Sequence, residues 1–129
     1  MNISSATVLI TGSSGFIGNH LVEILLSIGS TIIGFDMYEP ENQISHPNYS
    51  FLKGNVIDSK DLDNISYFEI DVIIHLAANA NVPYSVSNPI EDFNENALGT
   101  LNLLELARKK RIKKFIYPSS VSVFDSSNP

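Results

Sequence analysis

The chain has 129 residues, 43% hydrophobic and 17% charged, with a formal net charge of −6. That length suits one domain spanning residues 1–129, able to bury roughly two-thirds of the surface its unfolded chain exposes, and the acidic balance argues against nucleic acid as a partner. Absence of cysteine excludes disulfides and thiolate metal sites, no apolar run approaches the ~18–20 residues of a membrane span, and the start, MNISSATVLITG, has neither a basic nor a long apolar leader region, so a cytoplasmic protein is expected.

Ala6 to Thr11 is a β-branched run that predicts a buried first strand. Ile17, Leu21, Ile24, Leu25 and Ile28 follow at helical spacing, and Gly29 stops that helix. Thr31 to Phe35 predicts a second strand, ending at Asp36. Met37 to Asn48 is polar, holds two prolines and reads as a loop. Tyr49 to Lys53 predicts a third strand, closed by Gly54. Asp58 suits the N-cap of a helix whose Leu62, Ile65 and Phe68 share a face. Asp71 to Leu76 is the fourth strand, and NANVPYSVS, from Asn79 to Ser87, reads as a loop. Asn88, Pro89 and Glu91 then predict a capping box at the head of a helix running to about Lys110. Lys114 to Ser119 is the fifth strand.

Strands alternating with helices predict a parallel sheet covered on both faces. The expected solution is a Rossmann-type, doubly wound α/β fold with strand order 3-2-1-4-5. Such a sheet binds ligands beyond the C-terminal strand ends, where the order reverses. Here that place lies between strands one and four, at Gly12 and at Leu76 to Ala78.

The stretch TGSSGFIG occupies that place. Gly12 allows a tight turn off the strand, Gly15 lets a pyrophosphate approach the backbone, and Gly18 lets the helix pack closely. Phe16 and Ile17 offer N–H groups at the positive end of the helix dipole. Asp36 stands at the end of strand two, where a carboxylate accepts both ribose hydroxyls of an adenosine and repels a 2′-phosphate. Strand before, helix after and acid beyond point to a dinucleotide, with NAD preferred over NADP.

With Gly54-Asn55-Val56, HLAA at His75 to Ala78, NENALGTLNLLE at Asn94 to Glu105 and YPSSVSVF at Tyr117 to Phe124, these motifs stand in the order and spacing of a known family. The chain resembles the extended short-chain dehydrogenases/reductases, in the nucleotide-sugar epimerase/dehydratase branch, and is most similar to UDP-glucose 4-epimerase-like proteins. The resemblance implies NAD as cofactor and a UDP-sugar as substrate. It implies that Phe16 and Ile17 hold the pyrophosphate and Asp36 the ribose. Asn55, where the family has Asp, and Val56 meet the adenine; Leu76, Ala77, Ala78 and Ala80 line the nicotinamide side; Asn96 reaches toward the cofactor. Ser120 matches the catalytic Ser/Thr that orients the sugar hydroxyl. The long helix, 89–110, packs across a homodimer interface in the family, and its stripe of Ile90, Phe93, Ala97, Leu101 and Leu104 is broader than one sheet needs.

Read without the resemblance, His75 is a satisfied core histidine, Asn96 a solvated helix residue, and Ser119 and Ser120 loop serines. RKKRIKK, from Arg108 to Lys114, reads as a solvated helix end complementing the dipole. No second ligand stands at metal spacing from His75, so no metal site is expected. Three departures from the family stand out: Met37 replaces an asparagine, Phe124-Asp125 replaces Tyr-Gly, and no Tyr-x-x-x-Lys follows Ser120 before Pro129. The expectation is an NAD-binding part that ends before the last strands and the sugar-binding subdomain, binds NAD weakly and is inactive alone. The other reading is a non-catalytic dinucleotide module that senses redox state or serves as a partner subunit. The candidate bases within the chain are poor: His75 is held in a strand, and Tyr84 has no lysine four residues on.

Overall fold

The computed structural model describes residues 2–120. Its elements are β1 (Thr7–Thr11), α1 (Phe16–Ser27), β2 (Thr31–Asp36), β3 (Tyr49–Lys53), α2 (Ser59–Ile65), β4 (Val72–His75), α3 (Val82–Ser87), α4 (Pro89–Phe93), α5 (Gly99–Lys110) and β5 (Lys114–Ile116). The five strands are all parallel and ordered β3-β2-β1-β4-β5. The expected Rossmann-type topology is therefore observed.

Alternation along the central strands divides the core into two layers. Leu9, Ile33, Phe35 and Ile73 face α2 and α5, meeting Leu62, Ile65, Leu103 and Ala107. Val8, Ile10, Ile32, Val72 and Ile74 face the other way, against Val22, Leu25 and Leu26 of α1. Each such aliphatic side chain, fully buried, contributes about 1.5–3 kcal/mol, so the three central strands form the rigid base from which the loops project. Gly29, at φ 96°, ends α1, and its N–H bonds Leu26 O. Asp58 caps α2 as expected, accepting from Lys60 N–H.

Four local readings need correction. The predicted loop from Asn79 to Ser87 contains α3, because Asn81 caps it by accepting from Tyr84 N–H at 3.0 Å and Pro83 tolerates the first turn. The predicted capping box at Asn88 does not form. Asn88 is also the C-cap of α3, and its Nδ2 donates back to Tyr84 O instead. The long helix is interrupted by a π turn over Asn94–Leu98, where Gly99 N–H reaches back to Asn94 O. β5 is shorter than expected, Lys114–Ile116, and ends two residues before Pro118, which has no N–H to offer a ladder.

Lys110 ties the long helix to the end of α2 by donating to Ser66 O and to Phe68 O, the latter at 2.8 Å. Arg108 pairs with Glu105 at 2.9 Å and Lys113 with Asp71 at 3.6 Å. Half of the basic cluster thus serves local packing and pairing, consistent with a helix end. Among the described residues no helix is long and apolar enough to cross a membrane, and no group of three or more His, Asp or Glu is placed to hold a metal ion. Phe124-Asp125 and the end of the YPSSVSVF motif lie outside the described residues.

Candidate functional site

Strands β2 and β4 part on either side of β1. Gly12 N–H turns to Phe35 O on one side, while Leu76 N–H stays with Thr11 O on the other. An open cleft of about 410 Å³ begins at this divergence. Gly12, Gly15, Asp36, Asn55, Val56, Leu76, Ala77 and Ala78 line it. Ser14, Phe35, Gly54, Met37, Tyr38, Glu39, Glu41 and Glu95 line it too; of these the sequence marked Met37 as a departure beside Asp36 and Gly54 as the end of strand three, and did not single out the rest as site residues. Met37 to Glu41 follow Asp36 directly, so their place was legible from the end of β2; Glu95 stands in the π turn.

The glycines differ in what surrounds them. Gly12 has φ 69°, and a Cβ there would stand 2.7 Å from Ala77 N and 2.8 Å from the Leu76 carbonyl carbon. It is required both by its turn and by the end of β4 pressing on it. Gly18 would meet Gly12 O at 2.1 Å. It therefore packs α1 onto the turn itself rather than onto the sheet. At Gly15 the one protein atom near a Cβ is Gly12 O at 3.3 Å, and the residue is exposed. That is a cradle a ligand can approach and a side chain would fill. Gly15 is the N-cap of α1 and supplies no side-chain cap, leaving the first-turn N–H groups to a ligand or water. Phe16 and Ile17 project their side chains outward, 85% and 63% exposed, while their backbone stands in this first turn.

Asp36 is held by backbone donors on both oxygens. Ser14 N–H donates to Oδ2 at 3.0 Å and Tyr38 N–H to Oδ1 at 3.0 Å. Each oxygen keeps a lone pair for a further donor. Ser14 Oγ donates to Tyr38 O at 2.7 Å, which closes a ring between the glycine turn and the start of the 37–48 loop. Beneath the turn, Ser13 Oγ is buried without a well-formed hydrogen bond. The Tyr49 hydroxyl lies alongside, and both crowd the bare face of Gly34, where a Cβ would stand 2.7 Å from the phenol oxygen and 2.9 Å from Ser13 Oγ. Burial pushes the Tyr49 phenol up; Ser13 pulls it partly back and Asp36 adds to the rise.

Asn55 accepts Ile57 N–H on Oδ1 at 3.1 Å, so its amide is partly spent on its own turn. Val56 is buried against Gly99, and its carbonyl accepts from Asn102 Nδ2 at 3.0 Å. Asn96 does not line the cleft; its side chain clamps the Asn79 backbone, accepting N–H at 2.7 Å and donating to the carbonyl at 3.1 Å. Ala80 and Ser120 are exposed and do not line the cleft; Ser120 lies four residues beyond β5. His75 is buried and bonded through both ring nitrogens, to Thr11 Oγ1 at 2.7 Å and Thr100 Oγ1 at 3.0 Å. Burial lowers its pKa from 6.5 to about 4, so the ring is neutral at physiological pH. Tyr84, in α3, has its phenol pushed up by burial and then by Glu95, Glu91 and Asp92, so less of it is ionised at neutral pH than of an ordinary tyrosine.

Together these groups can take a diphosphate at the helix head and a pair of hydroxyls at Asp36. The wall on the other side of the glycine turn from Asp36 is apolar, made by Leu76 to Ala78. An NAD-like molecule fits that donor set, with the open side of Gly15 as the decisive space.

The sequence matches the NAD dependent epimerase/dehydratase family over residues 8–129. It is 40% identical to a putative UDP-glucose 4-epimerase of Methanocaldococcus jannaschii, over 88% of this chain and 37% of that protein. It is 40% identical to a dTDP-D-glucose 4,6-dehydratase of Dictyostelium discoideum, over 92% of this chain and 30% of that protein. Among solved structures, the UDP-glucose 4-epimerase of Thermus thermophilus in complex with NAD superposes with a TM-score of 0.77 at 34% identity, over 84% of this chain and 36% of that one. The chain thus spans roughly a third of the length of the proteins it matches.

Proposed function

The chain belongs to the NAD dependent epimerase/dehydratase family, and on that footing we propose that it is the dinucleotide-binding part of a nucleotide-sugar epimerase or dehydratase, with 4-epimerisation of a UDP-sugar as the whole protein's reaction. The observation that carries the reading is the pairing of a bare helix head at Gly15 with a carboxylate, Asp36, aimed by two backbone N–H groups. NAD, when bound, supplies the hydride acceptor. The residues of this chain bind and orient. Phe16 and Ile17 N–H groups hold the pyrophosphate, Asp36 the adenosine ribose, Asn55 and Val56 the adenine edge, and Leu76 to Ala78 the nicotinamide end. Ser120 orients the sugar hydroxyl. The similarity to named UDP-glucose 4-epimerases supports the sugar class, and the similarity to a dehydratase supports the shared hydride step.

The same reading takes the 89–110 helix as a contact between two copies. Its stripe leaves Ile90 72%, Phe93 63%, Leu101 55% and Leu104 44% exposed, a row of large apolar groups with no cover among the described residues.

Calorimetry with NAD and NADP tests the cofactor. NAD is expected to bind on the order of tenfold tighter or more, because Asp36 accepts two hydroxyls and repels a 2′-phosphate. Asp36→Asn should weaken NAD and narrow that gap. Equal or tighter NADP binding would remove Asp36 from this role. Incubation with NAD and UDP-glucose should give no turnover, since the two candidate bases weighed among the described residues are a His75 that is buried and neutral and a Tyr84 phenol of raised pKa. Turnover that Ser120→Ala abolishes would show a base among these residues after all.

A further inference from the structure

We propose that His75 is a positioning residue of the cleft: its two ring nitrogens join the end of β1 to Thr100 in the first turn of α5, and through it to Asn96 in the π turn, and so set the path of the Leu76–Asn79 segment. The proposal rests on the dinucleotide reading, because that segment is the wall against which the nicotinamide end would lie.

The direction of every bond in this chain is forced from its ends. Thr100 Oγ1 lies 2.6 Å from the Asn96 carbonyl, which only accepts, so the single hydroxyl hydrogen of Thr100 goes there. Thr100 Oγ1 then accepts from His75 Nε2 at 3.0 Å, and Nε2 carries the ring proton. Nδ1 is left bare and accepts from the Thr11 hydroxyl at 2.7 Å. Thr11 Oγ1 in turn accepts from Ala77 N–H at 3.3 Å. A backbone donor at one end and a backbone acceptor at the other therefore select one tautomer of a neutral ring. The histidine is 1% exposed. Around it stand the two threonine hydroxyls and the rings of Phe115 and Tyr117, at centroid distances of 6.1 and 5.6 Å, with Tyr117 the titratable group among these neighbours. A protonated ring would bring a second N–H to Thr11 Oγ1, which already receives Ala77.

The circuit closes through Asn96. Its carbonyl is held by Thr100, and its side-chain amide holds both backbone groups of Asn79, with the remaining amide hydrogen on Asp92 Oδ1 at 3.0 Å. The segment is thus anchored at His75, pinned at Ala77 and clamped at Asn79. Asn96 stands within the π turn and Thr100 four residues on, in the first turn of α5, where its hydroxyl reaches the Asn96 carbonyl.

The test uses the 129-residue protein labelled with 15N at histidine. Two-bond proton–nitrogen correlation in the absence of dinucleotide should show His75 with its proton on Nε2 and a bare Nδ1 at neutral pH. Thr100→Val keeps the volume and removes the hydroxyl. It should mix the tautomers and weaken NAD on the order of tenfold, and Thr100→Ser should restore both. A wild-type proton on Nδ1 overturns the proposal, and so does an unchanged NAD affinity in a folded Thr100→Val. Should Thr100→Val fail to fold, the same pair of readouts on Thr11→Val and Thr11→Ser decides. Failure of the wild-type protein to bind NAD overturns the dinucleotide reading instead, since the ring measurement needs no ligand.

Discussion

At Gly15 and Gly18 the same change, glycine to alanine, should separate binding from stability. A Cβ at Gly18 would stand 2.1 Å from Gly12 O, a backbone atom with nowhere to go. Gly18→Ala is expected to destabilise by about 1–3 kcal/mol or more, through forced movement of the turn. At Gly15 the nearest atom is 3.3 Å away, and the N-cap position tolerates alanine at a cost of about 1 kcal/mol or less. Gly15→Ala should therefore fold and fail to bind NAD, because its methyl fills the cradle. Urea denaturation and calorimetry on the two variants check this; a Gly15→Ala that binds NAD as tightly as wild type would contradict the cradle. The spacing of these residues was legible in the sequence. The tight turn at Gly12 was legible too, while Gly18 serves that turn where close packing of the helix on the sheet was expected. Glu95, which stands in the π turn and lines the cleft, was not legible, since no residue pattern announces that turn.

Among the elements, α3 is the one that sequence reading passed over, and it is the most delicate. It has six residues, contributes nothing to the buried core, and owes its start to the Asn81 cap. Asn81→Ala should cost about 1 kcal/mol, concentrated in this helix, with faster amide hydrogen exchange at 84–87 and little change elsewhere. β2 gives a second case. Gly34 leaves space for Tyr49 and Ser13 at 2.7 and 2.9 Å, so Gly34→Ala should destabilise by about 1–3 kcal/mol. Tyr49→Phe should relieve part of that cost, and strict additivity in denaturation would rule the contact out. On the long helix, Phe93→Asp with Leu101→Asp should shift sedimentation toward monomer while the circular dichroism stays that of the folded chain. A chain that is monomeric to begin with would remove the interface.

For the whole molecule, His75 couples stability to pH. Its folded pKa lies near 4 against an ordinary 6.5, from burial. Between those values the unfolded chain binds the proton more readily, so stability is full above about pH 6.5 and falls as pH drops toward 4, levelling off below. The loss amounts to about 3 kcal/mol. Denaturation at pH 7, 5.5 and 4.5 should show a steeper fall for wild type than for His75→Asn; parallel curves would deny the buried neutral ring. The sequence by itself determined the sheet, its order and the place of the cleft. Apolar strands between helical patterns leave few ways to cover both faces, and glycine spacing at a strand end marks where a chain must turn tightly. The tertiary structure decided what the polar residues do. Asn88 could cap one helix or close another, Asn96 could face a ligand or clamp a loop, and His75 could be inert or joined to both sides. Such groups choose partners across long sequence separations, 64 residues from Thr11 to His75 and 17 from Asn79 to Asn96. Burial makes an unpaired polar atom costly, so those partners are set only when the strands and the helix have come together.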